Sequence, residues 1–227
     1  MKNQTKKSIG KTLSIKVADK IRQEIIFGHY KEGERIIEQS ISEEFGVSRI
    51  PVREAIRLLE SEGFIELSPY KGSIVREITP EAFKETHLIR LTIVPVLLQY
   101  AIPNYSSKTI KQAEDLINKT ESKLSETALL QFIVKMHDIM YGPCNMPYIL
   151  NLSEVSLKRH LTVLNIYFNS FDLSEITLDR FRNFFELCKQ KKYQEARDYW
   201  IKTLTEQYQL ITEEFNKWHD LQKISVS

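Results

Sequence analysis

Residues 38–63, EQSISEEFGVSRIPVREAIRLLESEG, constrain this chain more than any other stretch of it. Apolar Ile41 and Phe45 lie four apart. Gly46 and Val47 then interrupt, and Val52, Ala55, Ile56 and Leu59 recur at i, i+3, i+4 and i+7. That spacing predicts two short amphipathic helices, over about 38–45 and 49–62. Gly46 and Gly63 close them, and Ser48 caps the start of the second. Pro51 falls in the second helix's first turn, where proline is tolerated. After Gly63 the period changes. Residues 64–67 (FIEL) and 73–76 (SIVR) are β-prone runs around the turn signal SPYKG at 68–72. Upstream, Val17, Ile21, Ile25 and Ile26 predict a helix over 17–28 ending at Gly28, and residues 31–34 read as a turn. Three helices followed by a two-stranded hairpin is the order of a winged helix-turn-helix.

From Thr79 onward the texture is helical. Helices are expected over 80–101, 106–122, 126–142, 147–169, 175–190 and 193–218. Breaks fall at Pro103-Asn104, Ser125, Gly142-Pro143, 170–174 and Lys191-Lys192. Six helices with short connections predict an antiparallel bundle. The glycines agree with a chain built on two plans, since six of the seven lie in the first third. The expected fold is mainly α, with a winged helix-turn-helix over 13–78 and an all-α six-helix bundle over 79–227. A basic flexible arm is expected over 1–12.

Charge and cysteine content set limits. The net charge is +2, from 32 basic and 30 acidic residues, too small to argue for a nucleic-acid partner by itself. The first 16 residues carry five lysines and no acid. That run is either a solvated, frayed terminus or an arm adding phosphate contacts. Two cysteines without a CxxC spacing imply neither a disulfide scaffold nor a zinc cage. No apolar run follows the N-terminal lysines, so no signal peptide is expected. The longest apolar stretch, 91–102, falls well short of the ~20 residues of a membrane span. A cytoplasmic protein with no membrane partner is the expectation.

The chemistry lies opposite the apolar stripe of the second helix. Arg49, Arg53 and Arg57 repeat every four residues, and like charges at that spacing weaken an isolated helix. Such an edge at the start of a helix suits a major groove, where arginine reads guanine O6 and N7. The competing reading pairs these arginines with surface acids. Lys71 and Gly72, at the tip of the following hairpin, favour the groove reading, because a wing there reaches the minor groove or its phosphates.

The register GVSRIPVREA over 46–55, with Leu58-Leu59-Glu60 and Glu62-Gly63 after it, resembles the DNA-binding domain of the GntR family of bacterial transcriptional regulators. Gly28, Gly33 and Gly72 fall where that family keeps its turns. The resemblance implies operator contacts from Ser48, Arg49 and Arg53, with Gly72 of the wing approaching the minor groove. The residues marked for DNA are thus Gln39, Ser48, Arg49, Pro51, Arg53, Arg57, Lys71 and Gly72. Gln39 stands where some branches place a further arginine.

The helical remainder, with Arg90-Leu91 in its first helix and Lys191-x3-Glu195-Ala196-Arg197 before its last, is similar to the FadR-like sensing and dimerising domain, of the FCD type. That similarity implies a homodimer on double-stranded operator DNA and a small-molecule effector, such as an organic acid, in the C-terminal domain. Many such domains hold a divalent metal through an Asp and three His. The matching positions are Ile133, His137, Phe181 and Thr203, so neither a metal nor another cofactor is expected. Arg90, Ile133, His137, Tyr141, Phe181 and Thr203 are the candidate effector residues. His137 is open to two readings, ligand contact or core histidine. No P-loop, GxGxxG or HExxH signature is present, so an enzyme is not expected. A helix-turn-helix adaptor for protein contacts, lacking an effector, is the alternative function.

Overall fold

Ile41, Val52, Ala55, Ile56 and Leu59 are all buried, as their spacing demands. They sit in the first of two units of the computed structural model, which describes residues 2–120, 125–168 and 174–225. The chain divides between Ile78 and Thr79. The N-terminal unit runs α1 (Lys2–Ile26), α2 (Glu38–Glu44), α3 (Arg49–Ser61), β1 (Ile65–Ser68) and β2 (Gly72–Val75). Helix α1 begins at Lys2 rather than at 17, so the backbone of the basic segment continues the first helix instead of standing apart as an arm.

Gly46 makes the turn from α2 to α3 with φ of +61°, a conformation that costs other L-residues roughly 1–2 kcal/mol. Ser48 takes the extended backbone of an N-cap, yet its side chain makes no capping hydrogen bond, contrary to expectation. The hairpin pairs Ile65 with Val75 and Ser68 with Gly72, antiparallel. Residues 34–36, expected as the end of a turn and beyond, instead extend its far edge. The Ile36 amide donates to the Ser73 carbonyl at 2.8 Å, and the Val75 amide to the Glu34 carbonyl at 2.9 Å. Buried Arg22 of α1 pairs with Glu62 at 2.7 Å and with Asp19, and lies 5.8 Å from the Phe64 ring centroid. It ties α1 to the end of α3.

The second unit has six helices among the described residues: α4 (Pro80–Ala101), α5 (Ser107–Asn118), α6 (Glu126–Tyr141), α7 (Pro147–Phe168), α8 (Ser174–Lys189) and α9 (Tyr193–Ser225). Most expected boundaries differ from these by only a few residues. The end of the expected 106–122 helix and most of the expected 170–174 break lie outside the described residues. The Thr79 hydroxyl accepts from the Ala82 amide to cap α4, and Ser125 does the same for α6 from Ala128. Helix α4 is central, packing on α7, α9 and α6. By length and mean hydropathy it passes for a membrane span, but Val94, Leu97, Leu98 and Ala101 are buried in the core with Phe184 and Phe185. Burying one such phenylalanine contributes roughly 1.5–3 kcal/mol. We therefore read α4 as a core helix.

Candidate functional site

The exposed face of α3 presents Arg49, Arg53 and Arg57 together. The Arg49 Nη2 donates to Gln39 Oε1, and Gln39 in turn donates to Glu43. Arg53 Nε donates to Glu38 Oε2 at 2.8 Å. Arg57 has no ion pair among the described residues. The pairing reading of the arginines therefore holds in part, since Glu38 of α2 neutralises one of the three. The Arg53 side chain remains 61% exposed. An exposed pair of this kind is worth about 0–1 kcal/mol, little resistance to a phosphate or a guanine edge. Ser48 is exposed at the head of the same helix, with no side-chain cap to hold its hydroxyl.

Pro51 requires a correction. It is buried with Val52 on the apolar side of α3, so it shapes the first turn and offers no surface to DNA. Lys71 and Gly72 are exposed at the hairpin. Gly72 has φ of +76°, and the Arg35 guanidinium lies beside it, so that a Cβ there would stand 3.5 Å from Arg35 Nε. Two exposed residues escaped the sequence reading. Tyr70 is 98% exposed at the wing tip, and Ile50 is 68% exposed in the first turn of α3. An apolar residue at the head of a recognition helix matches the methyl group of thymine. The signal for both was position, because each sits beside a residue already singled out.

In the C-terminal unit a cavity forms between α4, α6, α7, α8 and α9. Four of the six candidate effector residues line it: Arg90, Ile133, Phe181 and Thr203. His137 and Tyr141 do not. His137 Nε2 hydrogen-bonds Ser153 Oγ at 3.0 Å, and its ring meets Tyr141 edge-on at 4.8 Å. The Tyr141 hydroxyl accepts from Trp200 Nε1 at 2.7 Å, and burial pushes its pKa up to about 12. These two residues form a buried polar layer outside the cavity lining. The lining gains His160 of α7, Arg180 of α8 and Gln207 of α9, which the sequence reading missed. In their helices no spacing distinguishes a cavity residue from a core one.

Among the described residues the charged side chains of the lining are basic. Arg90 Nη1 is buried with no hydrogen-bond partner among the described residues, and so is His160 Nδ1. Burial lowers the Arg90 pKa from its ordinary value. Burial, reinforced by Arg90, holds His160 neutral well below the usual imidazole range. His87, one turn before Arg90, is lowered to about 4 by the same two causes. The metal pattern of similar sensing domains does not fit these residues. Ile133 and Phe181 offer no donor atoms, and the one imidazole of the set is engaged with Ser153. Among the described residues no group of three or more His, Cys, Asp or Glu is placed to hold a metal ion.

Comparison with known proteins agrees with this geometry. Residues 13–75 match the family model described as bacterial regulatory proteins, gntR family. The chain is 26% identical to the HTH-type transcriptional regulator YdhC of Bacillus subtilis, over 80% of this chain and 83% of that protein. It is 23% identical to the HTH-type transcriptional regulator McbR of Escherichia coli, over 63% of this chain and 66% of that protein. The solved structure of McbR superposes with a TM-score of 0.78 at 18% identity, covering 89% of this chain and 98% of that one. The shared fold is a winged helix followed by a helical domain. Both relatives carry the name of an HTH-type transcriptional regulator.

Proposed function

We propose that the chain is a transcriptional regulator of the GntR family, a cytoplasmic, sequence-specific operator-binding homodimer whose DNA affinity a small molecule controls. The observation that carries the DNA-reading part is the exposed edge of α3, where Arg49, Arg53 and Arg57 stand above a buried apolar stripe. A recognition helix presents its N-terminal residues to base edges in the major groove. Lys71 and Gly72 of the wing add contacts to the adjacent backbone or minor groove. One such helix covers a half-site, and two-fold symmetry doubles the contact on a palindrome.

The homodimer reading has support of its own. Leu88, Ile89, Val96 and Tyr100 are exposed along α4, and Tyr148 and Leu152 are exposed on α7, which packs beside it. Exposed apolar side chains on two neighbouring helices suit burial against a partner copy. For control, the effector binds the cavity of the C-terminal unit and favours one of two arrangements of the dimer. Unequal affinity for the two arrangements then changes operator affinity. Selection of bound duplexes from a random pool at fixed salt tests the central reading. Enrichment of one two-fold-symmetric site is expected, and recovery of unrelated sequences would count against it.

A further inference from the structure

We propose that Ile50 selects for one thymine in each operator half-site by seating on its 5-methyl group, next to the base pair that Arg53 meets. The proposal rests on the reading of α3 as the helix laid in a major groove, and it adds an apolar selector to the arginines of that reading.

Ile50 is the second residue of α3 and stands outside the buried stripe of Pro51, Val52, Ala55, Ile56 and Leu59. At 68% exposure, no large aliphatic side chain among the described residues is more open to solvent. A single exposed apolar residue is ordinary on a protein surface, so its place is what separates Ile50. At 3.6 residues per turn it lies about 60° round the helix from Arg53 and about 20° from Arg57. It shares their face, and all three are exposed. Arg49 and Arg53 are drawn to Gln39 and Glu38 of α2, and Ile50 stays uncovered beside them. The helix itself gives no reason for isoleucine here, since β-branched residues form helix less readily than alanine, arginine or lysine.

A major groove offers that side chain one apolar target. Base edges there present donors and acceptors, and only thymine adds a methyl group. Cytosine at the same place presents an N4 donor, from which isoleucine cannot accept. Within a helix isoleucine strongly prefers one χ1 rotamer, so little freedom is lost when it seats on the methyl. Along the helix axis Ile50 precedes Arg53 by about 4.5 Å, close to the ~3.4 Å between successive base pairs. With α3 laid along the groove, the thymine is therefore a neighbour of the base pair met by Arg53. Covering one methyl-sized group corresponds to about fourfold in affinity.

The test uses the full-length protein and the duplex selected from a random pool. Each thymine of one half-site, on either strand, is replaced singly by deoxyuridine, which removes the methyl and leaves every hydrogen-bonding group. One position should weaken parent binding about fourfold at fixed salt. Ile50→Ala should show no further loss at that position while keeping the parent's response at the other thymines. Lacking the contact in both half-sites, it should bind the unmodified duplex about tenfold more weakly. Its salt dependence should equal the parent's, because no phosphate contact is lost, and it should melt no lower, because the residue is exposed and alanine favours helix. The proposal is overturned if no deoxyuridine weakens binding, or if Ile50→Ala retains the penalty in full. In either case a steep salt response and a loss of affinity in Arg53→Ala would leave the operator reading standing. Parent-like operator affinity in Ile50→Ala, with a changed oligomeric state by light scattering, would assign Ile50 to a protein contact and also overturn the proposal. A selection that returns no common sequence would remove the operator reading itself, and the proposal with it.

Discussion

Arg53 on α3 donates to Glu38 on α2, Nε to Oε2 at 2.8 Å. The pair fixes the direction of a guanidinium that is otherwise free in solvent, and it does so at the surface. Its worth to folding is accordingly small, about 0–1 kcal/mol. Arg53→Ala should leave urea-denaturation stability within that range while weakening operator binding by about 1–3 kcal/mol, the cost of losing an arginine contact to a base. A stability loss as large as the affinity loss would make Arg53 a structural residue instead.

Gly72 sets the shape of the wing. With φ of +76° and the nearest atoms to a new Cβ those of the Arg35 guanidinium, at 3.5 Å, the cost of a side chain here is conformational rather than steric. Gly72→Ala should destabilise the N-terminal unit by about 1–2 kcal/mol, and Gly72→Asn by less, because asparagine tolerates the left-handed region. Thermal melting of the two variants checks the order. Equal melting of both with the parent would show that the turn relaxes freely.

The proposed homodimer places the exposed apolar side chains of α4 at its interface. Val96→Glu combined with Tyr100→Glu places two carboxylates on that surface and should give monomers by light scattering. Operator affinity should fall with it, since a monomer engages one half-site. A variant that stays dimeric would move the interface elsewhere on the chain.

Acid should weaken the C-terminal unit through its histidines. Burial and Arg90 depress the His87 pKa to about 4, and His160 moves in the same direction. The unfolded chain takes up these protons near pH 6.5. Between those values the unfolded state holds more protons, so stability falls as pH drops from 6.5 towards 4. His87→Gln should flatten part of that decline in denaturation curves taken at pH 7, 5.5 and 4.5. An identical slope in parent and variant would contradict it.

How much of this was legible beforehand varies with the kind of signal. The apolar spacing of Val52, Ala55, Ile56 and Leu59 gave α3 its buried face, and all four are buried. Helix ends in the second unit were readable because Thr79 and Ser125 carry local capping chemistry. The start of α1 was not, since lysines and polar residues over 2–12 carry no apolar period. Nor was the ion pair of Arg53, because Glu38 lies on another helix and meets it only through the turn at Gly46. Pro51 was misassigned for a related reason: its position in the register is that of a contact residue, while its side chain points to the core. The cavity was half legible. Arg90, Ile133, Phe181 and Thr203 follow from the family resemblance, whereas His160 and Arg180 are brought in by packing between helices.

The most direct test of the account is titration of a selected operator duplex at several salt concentrations, with the parent, Arg49→Ala and Arg53→Ala. The parent should show a steep linear fall of log affinity with log salt, as phosphate contacts release counterions. Each variant should bind about tenfold or more weakly at fixed salt. A flat salt response, or parent-like affinity in both variants while they remain folded, would contradict the claim that this edge of α3 reads DNA.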